Sequence, residues 1–342
     1  MGRKPTGRPT SFDIAYLAGV SQPTVSRALR GDTAISDVTR AKIQKIARDL
    51  NYTVDKNASS LRSQRANTIA LLFFEDPTPD NSNINPFFHA MLGAIARECA
   101  QQRYDLIISF QALEDDWHVQ YQDSHRADGI ILLGYGDYAM YESRLEQLVR
   151  QGTYFVRWGS VAEDNIGVTL GSDNFAGGKA AGQHLAEKGR RRVAFIGGAD
   201  EHYPEFAERY RGLCAAMSDA GSECDPELQR DAVSSEEQGY REAKWLLDNR
   251  PDFDAVFAAS DLIAIGAMRA LREAGRAIPD DVSVVGFDDI PTASVTNPPL
   301  TTVMQDTIGA GRLLVRSLIA QVEDEPLPPR QLPAKLVVRQ SS

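Results

Sequence analysis

The sequence predicts an α/β protein: a small all-α head followed by a doubly wound body of parallel sheet and helix. Three observations predict it. From Thr68 onward, continuous apolar runs such as "TIALLFF", "DLIISF", "DGIILLG", "TYFVRWG", "RRVAFIGG", "DAVFAAS" and "VSVVGFDD" alternate with helical stretches. Parallel strands covered by helices on both faces read this way. Ahead of them stand three short helical patterns joined by Gly-containing turns, the form of a helix-turn-helix. Charge is also divided. The formal net charge is −10, yet residues 1–65 hold twelve Lys/Arg against five Asp/Glu, about +7, leaving about −17 on the remainder. A basic head on an acidic body is expected when only the head meets a polyanion.

The first helical pattern opens at Thr10, whose hydroxyl forms a capping box with Asp13. Ile14, Leu17 and Ala18 share its inner face at helical spacing. Gly19 stops it and Val20 fills the gap to the next helix. Ser21 is placed to cap the second helix, and Pro23 falls in its first turn, where a missing N–H costs little. Val25, Ala28 and Leu29 face inward, leaving Gln22, Thr24, Ser26 and Arg27 outside. Ser36 opens a third helix with Ile43, Ile46, Ala47 and Leu50 as its stripe. Short hydroxyls and amides at a helix N-terminus approach phosphates and base edges, and an arginine forks onto guanine.

The segment "DIAYLAGVSQPTVSRALRGDTAISDVTRAKIQKIARDLNY" closely resembles the DNA-binding head of the LacI/GalR family of bacterial transcription regulators. Ser11 departs from the family's aliphatic, and Phe12 is expected to take over its packing. By position, Gln22 and Pro23 fall on the sites that set operator preference. Proline offers no side-chain hydrogen bond, so direct readout is expected from Gln22 and Arg27, with Thr24 and Ser26 on phosphates. The implied DNA-facing set is Thr10, Ser21, Gln22, Pro23, Thr24, Ser26 and Arg27.

The next stretch, "VDKNASSLRSQRANT", reads either as a plain polar linker or, through the resemblance, as a hinge helix that folds on DNA. In the second reading Asn57 contacts DNA and Leu61 wedges into a minor-groove step across a dimer. Ser59 replaces a frequent arginine. The basic arm "GRKPTGRPT" reads as non-specific phosphate attraction in preference to a Gly-Arg-Pro contact in an AT-rich minor groove.

The resemblance extends over the body through "NPFF", "DGIILLG", "SDNFAGGKAAGQHLAEKGRRRVAFIGG", "RYRGL", "FAASDLIAIGAMRALREAGRAIPDDVSVVGFDDI" and "PPLTTV". It implies a periplasmic-binding-protein-like body of two doubly wound parallel-sheet subdomains with an effector in the cleft between them. The expected division is 1–53 for the head with its arm, 54–67 for the hinge and 68–342 for the body. Within the body, about 68–170 and 301–325 form the N-subdomain, and about 171–300 and 326–342 the C-subdomain. Helices are expected near 88–102, 175–188, 205–220, 236–249 and 262–274.

The resemblance places the effector-clamping arginine at Arg209, whose guanidinium grips vicinal hydroxyls or a carboxylate. Asp288, ending "VVGFDD", accepts ligand hydroxyl or N–H groups. Phe87 and Phe88 pack on an apolar ligand face. Arg157 and Trp158 end a strand, the arginine contacting ligand or bridging subdomains. Asp261 either lines the cleft edge or caps the helix that follows it. Ser234 stands where many sugar-binding relatives carry an aromatic platform, for which Tyr203 is a substitute. A sugar, a sugar acid or a sugar phosphate suits this set.

No catalytic constellation appears. "GYGDYA" fits G-x-G-x-x-A, but it follows a later strand rather than the first and lacks the acidic partner of a dinucleotide site. "SDN" has no accompanying SxxK. The five histidines form no metal spacing, and His118 and His125 are expected to be solvated. No apolar run approaches the ~18 residues of a membrane span, and the basic N-terminus has no apolar h-region of a signal peptide. Cys99, Cys214 and Cys224 form no CxxC and are expected to be buried small hydrophobes in a reducing compartment. A solute-binding protein or a sugar-transforming enzyme fits less well than a cytoplasmic regulator without cofactor. Its expected partners are double-stranded operator DNA, a small-molecule effector and a second copy of itself. The absence of a leucine heptad after "LVVRQSS" favours a dimer.

Overall fold

The computed structural model describes residues 9–29, 31–52, 65–73, 84–110 and 115–342. The N-terminal arm and the hinge segment with Asn57 and Leu61 lie outside the described residues. The chain divides into two compact units, Met1–Ala66 and Asn67–Ser342.

The head is three helices: α1 (Ser11–Ala18), α2 (Gln22–Leu29) and α3 (Asp37–Asp49). The Thr10–Asp13 capping box forms in both directions, and Gly19 ends α1 at φ 69°, a left-handed conformation suited to glycine. Ile14, Ala15, Ala18, Val25, Ala28, Ile43 and Ala47 make the core. Two expectations fail here. Leu17 is 52% exposed and Phe12 is 71% exposed, because the inner stripe of α1 runs through Ile14, Ala15 and Ala18. Phe12 therefore does not replace the packing lost at Ser11. Lys42 Nζ donates to the Ala18 carbonyl at 2.9 Å, tying α3 to the end of α1. Arg40 donates to the carbonyls of Asp32 and Ile35 and fixes the α2–α3 loop.

The body carries two six-stranded sheets. The first contains β1 (Thr68–Phe73), β2 (Asp105–Phe110), β3 (Gly129–Leu133), β4 (Phe155–Trp158), β5 (Val168–Ser172) and β11 (Gln331–Leu332), in the order β11-β5-β4-β3-β1-β2. The second contains β6 (Val193–Ile196), β7 (Gln229–Arg230), β8 (Ala255–Ala258), β9 (Ser283–Asp288), β10 (Thr301–Gln305) and β12 (Ala334–Val337), in the order β12-β10-β9-β8-β6-β7. Strand pairs are parallel except β10 with β12. The chain crosses between sheets after β5, after β10 and between β11 and β12. The expected subdomain boundaries are corrected accordingly. Residues 301–305 belong to the C-terminal sheet, and β11 joins the N-terminal one.

The helices are α4 (Pro86–Gln101), α5 (Tyr138–Arg150), α6 (Asn174–Glu187), α7 (Pro204–Asp219), α8 (Glu236–Asn249), α9 (Asp261–Glu273) and α10 (Thr307–Glu323). Side chains of Asn85, Asp137, Asp173, Ser235, Ser260 and Asp306 accept first-turn N–H groups and set where six of them start. Two helix pairs meet backbone to backbone. A Cβ on Gly178 of α6 would lie 2.1 Å from the Arg209 carbonyl oxygen, and one on Gly212 of α7 would lie 2.2 Å from that of Phe175. Gly239 of α8 and Gly266 of α9 repeat the arrangement.

Cys214 and Cys224 are joined as a disulfide across the end of α7, with Cα atoms 5.4 Å apart. Only Cys99 is the buried free thiol expected for all three, and burial pushes it up to about 12. His118 is also not solvated: it meets Thr153 Oγ1 at 2.8 Å and Asp123 at 3.1 Å.

Candidate functional site

In the head, the outer side of α2 is polar and open. Ser21, Pro23 and Arg27 are exposed, with Gln22, Thr24 and Ser26 half-buried. The Ser21 and Thr24 hydroxyls meet at 2.8 Å. Gln22 Nε2 donates to Ser11 Oγ at 3.3 Å, so the unexpected serine of α1 holds the glutamine expected to read bases. Arg27 approaches Asp32 no closer than 4.0 Å, a weak solvent-exposed pair that leaves its guanidinium available. Thr10 is committed to its cap.

In the body, Tyr135, just past the carboxyl end of β3, meets Asp288 and Gln305 at the carboxyl ends of β9 and β10, the side of the strands where ligands bind in doubly wound folds. Arg209, on α7, is fully buried. Its Nε donates to Asn174 Oδ1 at 2.9 Å, Nη1 to the Ala259 carbonyl and Nη2 to the Tyr135 hydroxyl at 3.1 Å. Its guanidinium carbon lies 3.8 Å from the centre of the Phe287 ring. Asp288, at the end of β9, is 3% exposed and stands 3.9 Å from the Arg209 guanidinium. It accepts from Gln305 Nε2 at 2.7 Å and from the Tyr135 hydroxyl at 3.0 Å. Burial pushes the Asp288 carboxyl up to about 6 against the opposing pull of Arg209.

Phe87 and Phe88 are buried and pack on Tyr135, stacked at 5.9 Å and edge-on at 4.7 Å respectively. Trp158 lies behind Phe87. Arg157 donates to Thr169 Oγ1 at 2.8 Å and covers the Tyr138 ring at 4.7 Å. It lines a cavity of about 440 Å³ with Tyr138, Glu142, Ser160, Asn165 and Glu208, which come from both subdomains. Tyr203 stacks on Phe206 at the start of α7. Asp261 is not the cap of α9. Ser260 occupies that position, while the buried Asp261 carboxylate accepts from the Ile290 N–H and the Thr302 hydroxyl. Burial, then the charge of Asp288, holds it well above the usual carboxylate range. The residues that sequence reasoning passed over are Tyr135, Gln305 and Asn174. Tyr135 sits in the "GYGDYA" loop and Asn174 in "SDN", both set aside as motifs of other chemistries.

The two subdomains touch through several further bonds. Asn85 Nδ2 donates to Ser234 Oγ at 3.0 Å, Ser160 N–H to Glu205 at 3.0 Å and Tyr138 N–H to the His202 carbonyl at 2.8 Å. His202 Nδ1 lies 2.8 Å from Asp137 Oδ1, and that hydrogen bond raises the imidazole above its ordinary value. A raised histidine contributes while it is protonated, and the contribution is lost as pH rises through its raised value. His202→Gln is therefore expected to lower the melting temperature near pH 6 and to converge with the parent protein near pH 9. A difference that stays constant across that range would contradict the pairing.

Residues 12–55 match the lacI family of bacterial regulatory proteins, and residues 183–342 match a periplasmic binding protein-like domain. The HTH-type transcriptional regulator CelR of Thermobifida fusca is 32% identical over 340 residues, spanning 98% of both chains. The chain belongs to the LacI family. This LacI-family member is thus a DNA-binding transcription regulator and not an enzyme. A solved complex of CelR with cellobiose covers 98% of this chain and 100% of that one, at 31% identity and a TM-score of 0.73. The lac repressor dimer bound to operator and an anti-inducer shares the fold, with a TM-score of 0.82 at 23% identity over 98% and 99% of the two chains. Among the described residues no helix is long and apolar enough to cross a membrane, and no group of His, Cys, Asp or Glu has a metal-binding arrangement.

Proposed function

We propose that this LacI-family regulator is a cytoplasmic homodimeric repressor whose hold on a roughly palindromic operator is controlled by a sugar or sugar derivative in the cleft of the body. The observation that carries the reading is the buried set Arg209, Asp288 and Gln305 converging on a single hydroxyl group. A donor pair and an acceptor arranged around one O–H are what a polyol requires. Charged hydrogen bonds in a dry site distinguish it from analogues that lack the hydroxyl. Sugar acids and sugar phosphates extend the same chemistry through Arg209 and Arg157. CelR, bound to cellobiose in its solved complex, supports a carbohydrate for this relative.

In this reading Gln22 and Arg27 read base edges, Ser21, Thr24 and Ser26 hold phosphates, and Asn57 and Leu61 engage the minor groove when the hinge folds on DNA. Effector shifts the cleft geometry, parts the two hinges of the dimer and releases the heads. Linkage requires only that effector affinity differ between the DNA-bound and free states.

The test is binding of the full chain to the duplex upstream of its own coding region, against a scrambled duplex of equal length. The parent protein is expected to prefer the upstream duplex, with affinity falling steeply as salt rises. Gln22→Ala and Arg27→Ala are each expected to cost about 1–3 kcal/mol of that discrimination while leaving scrambled-duplex binding nearly unchanged. Equal affinity of the parent protein for both duplexes would remove the assignment.

A further inference from the structure

We propose that Tyr135 is an internal pseudo-ligand of the cleft: its phenol stands where an effector hydroxyl binds, and an incoming polyol displaces it to reach Arg209 and Asp288. The inference rests on the reading of that cleft as the effector site and adds to it what occupies the site in the effector's absence.

Four observations carry it. First, the Tyr135 hydroxyl bridges the subdomains. It leaves the end of β3 in the N-terminal sheet, donates to Asp288 and accepts from Arg209 and Gln305, all on C-terminal elements. Second, these bonds use the polar capacity that a ligand would need. Arg209 places its three nitrogens on Asn174, Ala259 and Tyr135, and one Asp288 oxygen takes both Gln305 and Tyr135. Third, the ring lies among aromatics from both sides, Phe87 and Phe88 on one and Phe206 on the other, as a ligand's apolar face would. Tyr135 is only 6% exposed, although it belongs to a loop rather than to a strand or helix. Fourth, the backbone before it is built to turn. Gly134 has φ 153°, a region that side chains disfavour, and Gly136 follows.

A buried guanidinium and carboxylate without this partner would face a large desolvation penalty. The tyrosine satisfies them and closes the cleft without any ligand. An effector then binds only to the fraction of molecules in which the ring has swung out, so its apparent affinity falls by that fraction. The cavity lined by Arg157 remains outside this competition.

The experiment compares the full-length parent protein with Tyr135→Ala and Tyr135→Phe, using p-cresol, D-ribose and cellobiose as probes. p-Cresol reproduces the removed side chain. It is expected to raise the melting temperature of Tyr135→Ala and to leave that of the parent unchanged. A sugar that binds is expected to bind both variants more tightly than the parent, by about tenfold for the alanine. Tyr135→Phe keeps the ring and loses only the bridging hydroxyl, so it decides the matter should the alanine variant not fold. It is expected to melt below the parent. No p-cresol shift in a folded Tyr135→Ala overturns the proposal. So does a sugar that binds parent and variants equally, since it would then sit in the Arg157 cavity. Should the alanine not fold, a phenylalanine variant with the parent's melting temperature overturns it. Operator affinity, recorded in parallel, separates the two readings. A p-cresol response in the melting temperature of Tyr135→Ala, together with operator affinity that no bound sugar changes, leaves the pseudo-ligand standing and removes effector control.

Discussion

Arg209→Ala is expected to destabilise the body by about 3–5 kcal/mol, the cost of removing one partner from a buried charge pair. The substitution strands more than a charge. Asn174 Oδ1, the Ala259 carbonyl and the Tyr135 hydroxyl all lose a donor, and the ring packing on Phe287 goes with them. The loss depends on pH, and the sign follows from Asp288. Its carboxyl already stands at about 6 with Arg209 opposing the rise. Without the guanidinium it climbs further, so the folded variant holds a proton that the folded parent releases. The variant therefore keeps losing stability as pH rises beyond the parent's transition near 6, and the gap between the two widens from pH 5 to pH 8. Chemical denaturation at both pH values checks this; a gap that narrows toward pH 8 would contradict it. Arg209 is thus a tie within the fold as well as the proposed clamp for ligand. Arg209→Lys, which keeps the charge but loses the fork, is the milder probe of effector response.

Gly178→Ala is the second large effect. Its Cβ would meet the Arg209 carbonyl oxygen at 2.1 Å and the Arg209 Cα at 2.8 Å, and backbone cannot swing aside as a flexible side chain does. Relief requires α6 and α7 to separate, which opens packing along the length of both helices. The expected cost is about 3 kcal/mol, the upper part of the overpacking range. The displaced segment carries Arg209, so effector response should weaken as well. Gly93→Ala in α4 is the control. A Cβ there meets nothing within 4 Å, and helix propensity alone should make it neutral or stabilising by up to about 1 kcal/mol. Equal losses at the two glycines would mean that the close crossing of α6 and α7 contributes nothing.

These effects also show where local pattern is informative. Thr10 with Asp13, Gly19 and Ser36 mark helix ends because a cap is a contact between near neighbours. The apolar runs of β1, β3, β6, β8 and β9 declare themselves because a strand buried on both faces has nowhere to put a polar side chain. The resemblance singled out Arg209 and Asp288, which lie buried within 3.9 Å of each other. Tyr135 did not declare itself. Its partners are 74, 153 and 170 residues away in the chain, and its glycine neighbours imitate a phosphate loop. Gln305 escapes because the expected boundary at 301 assigns β10 to the wrong sheet. The Cys214–Cys224 bridge depends on how the chain turns after α7, which a spacing of ten residues does not reveal. In the head, Leu17 follows helical periodicity but not burial, and Phe12 stays exposed rather than taking over for Ser11. An eight-residue helix with two neighbours buries only a narrow stripe, and Ala15 takes the inner place.

Charge separation and cleft chemistry meet in one account: a basic head that reads DNA and an acidic body that decides when it does. The direct test is the affinity of the full chain for its own upstream duplex, measured with and without the sugar that most raises its melting temperature. The account predicts a change of about 5–150-fold, the range of ordinary allosteric coupling, and loss of that change in Arg209→Lys. Operator affinity that stays the same when the cleft is saturated would contradict it.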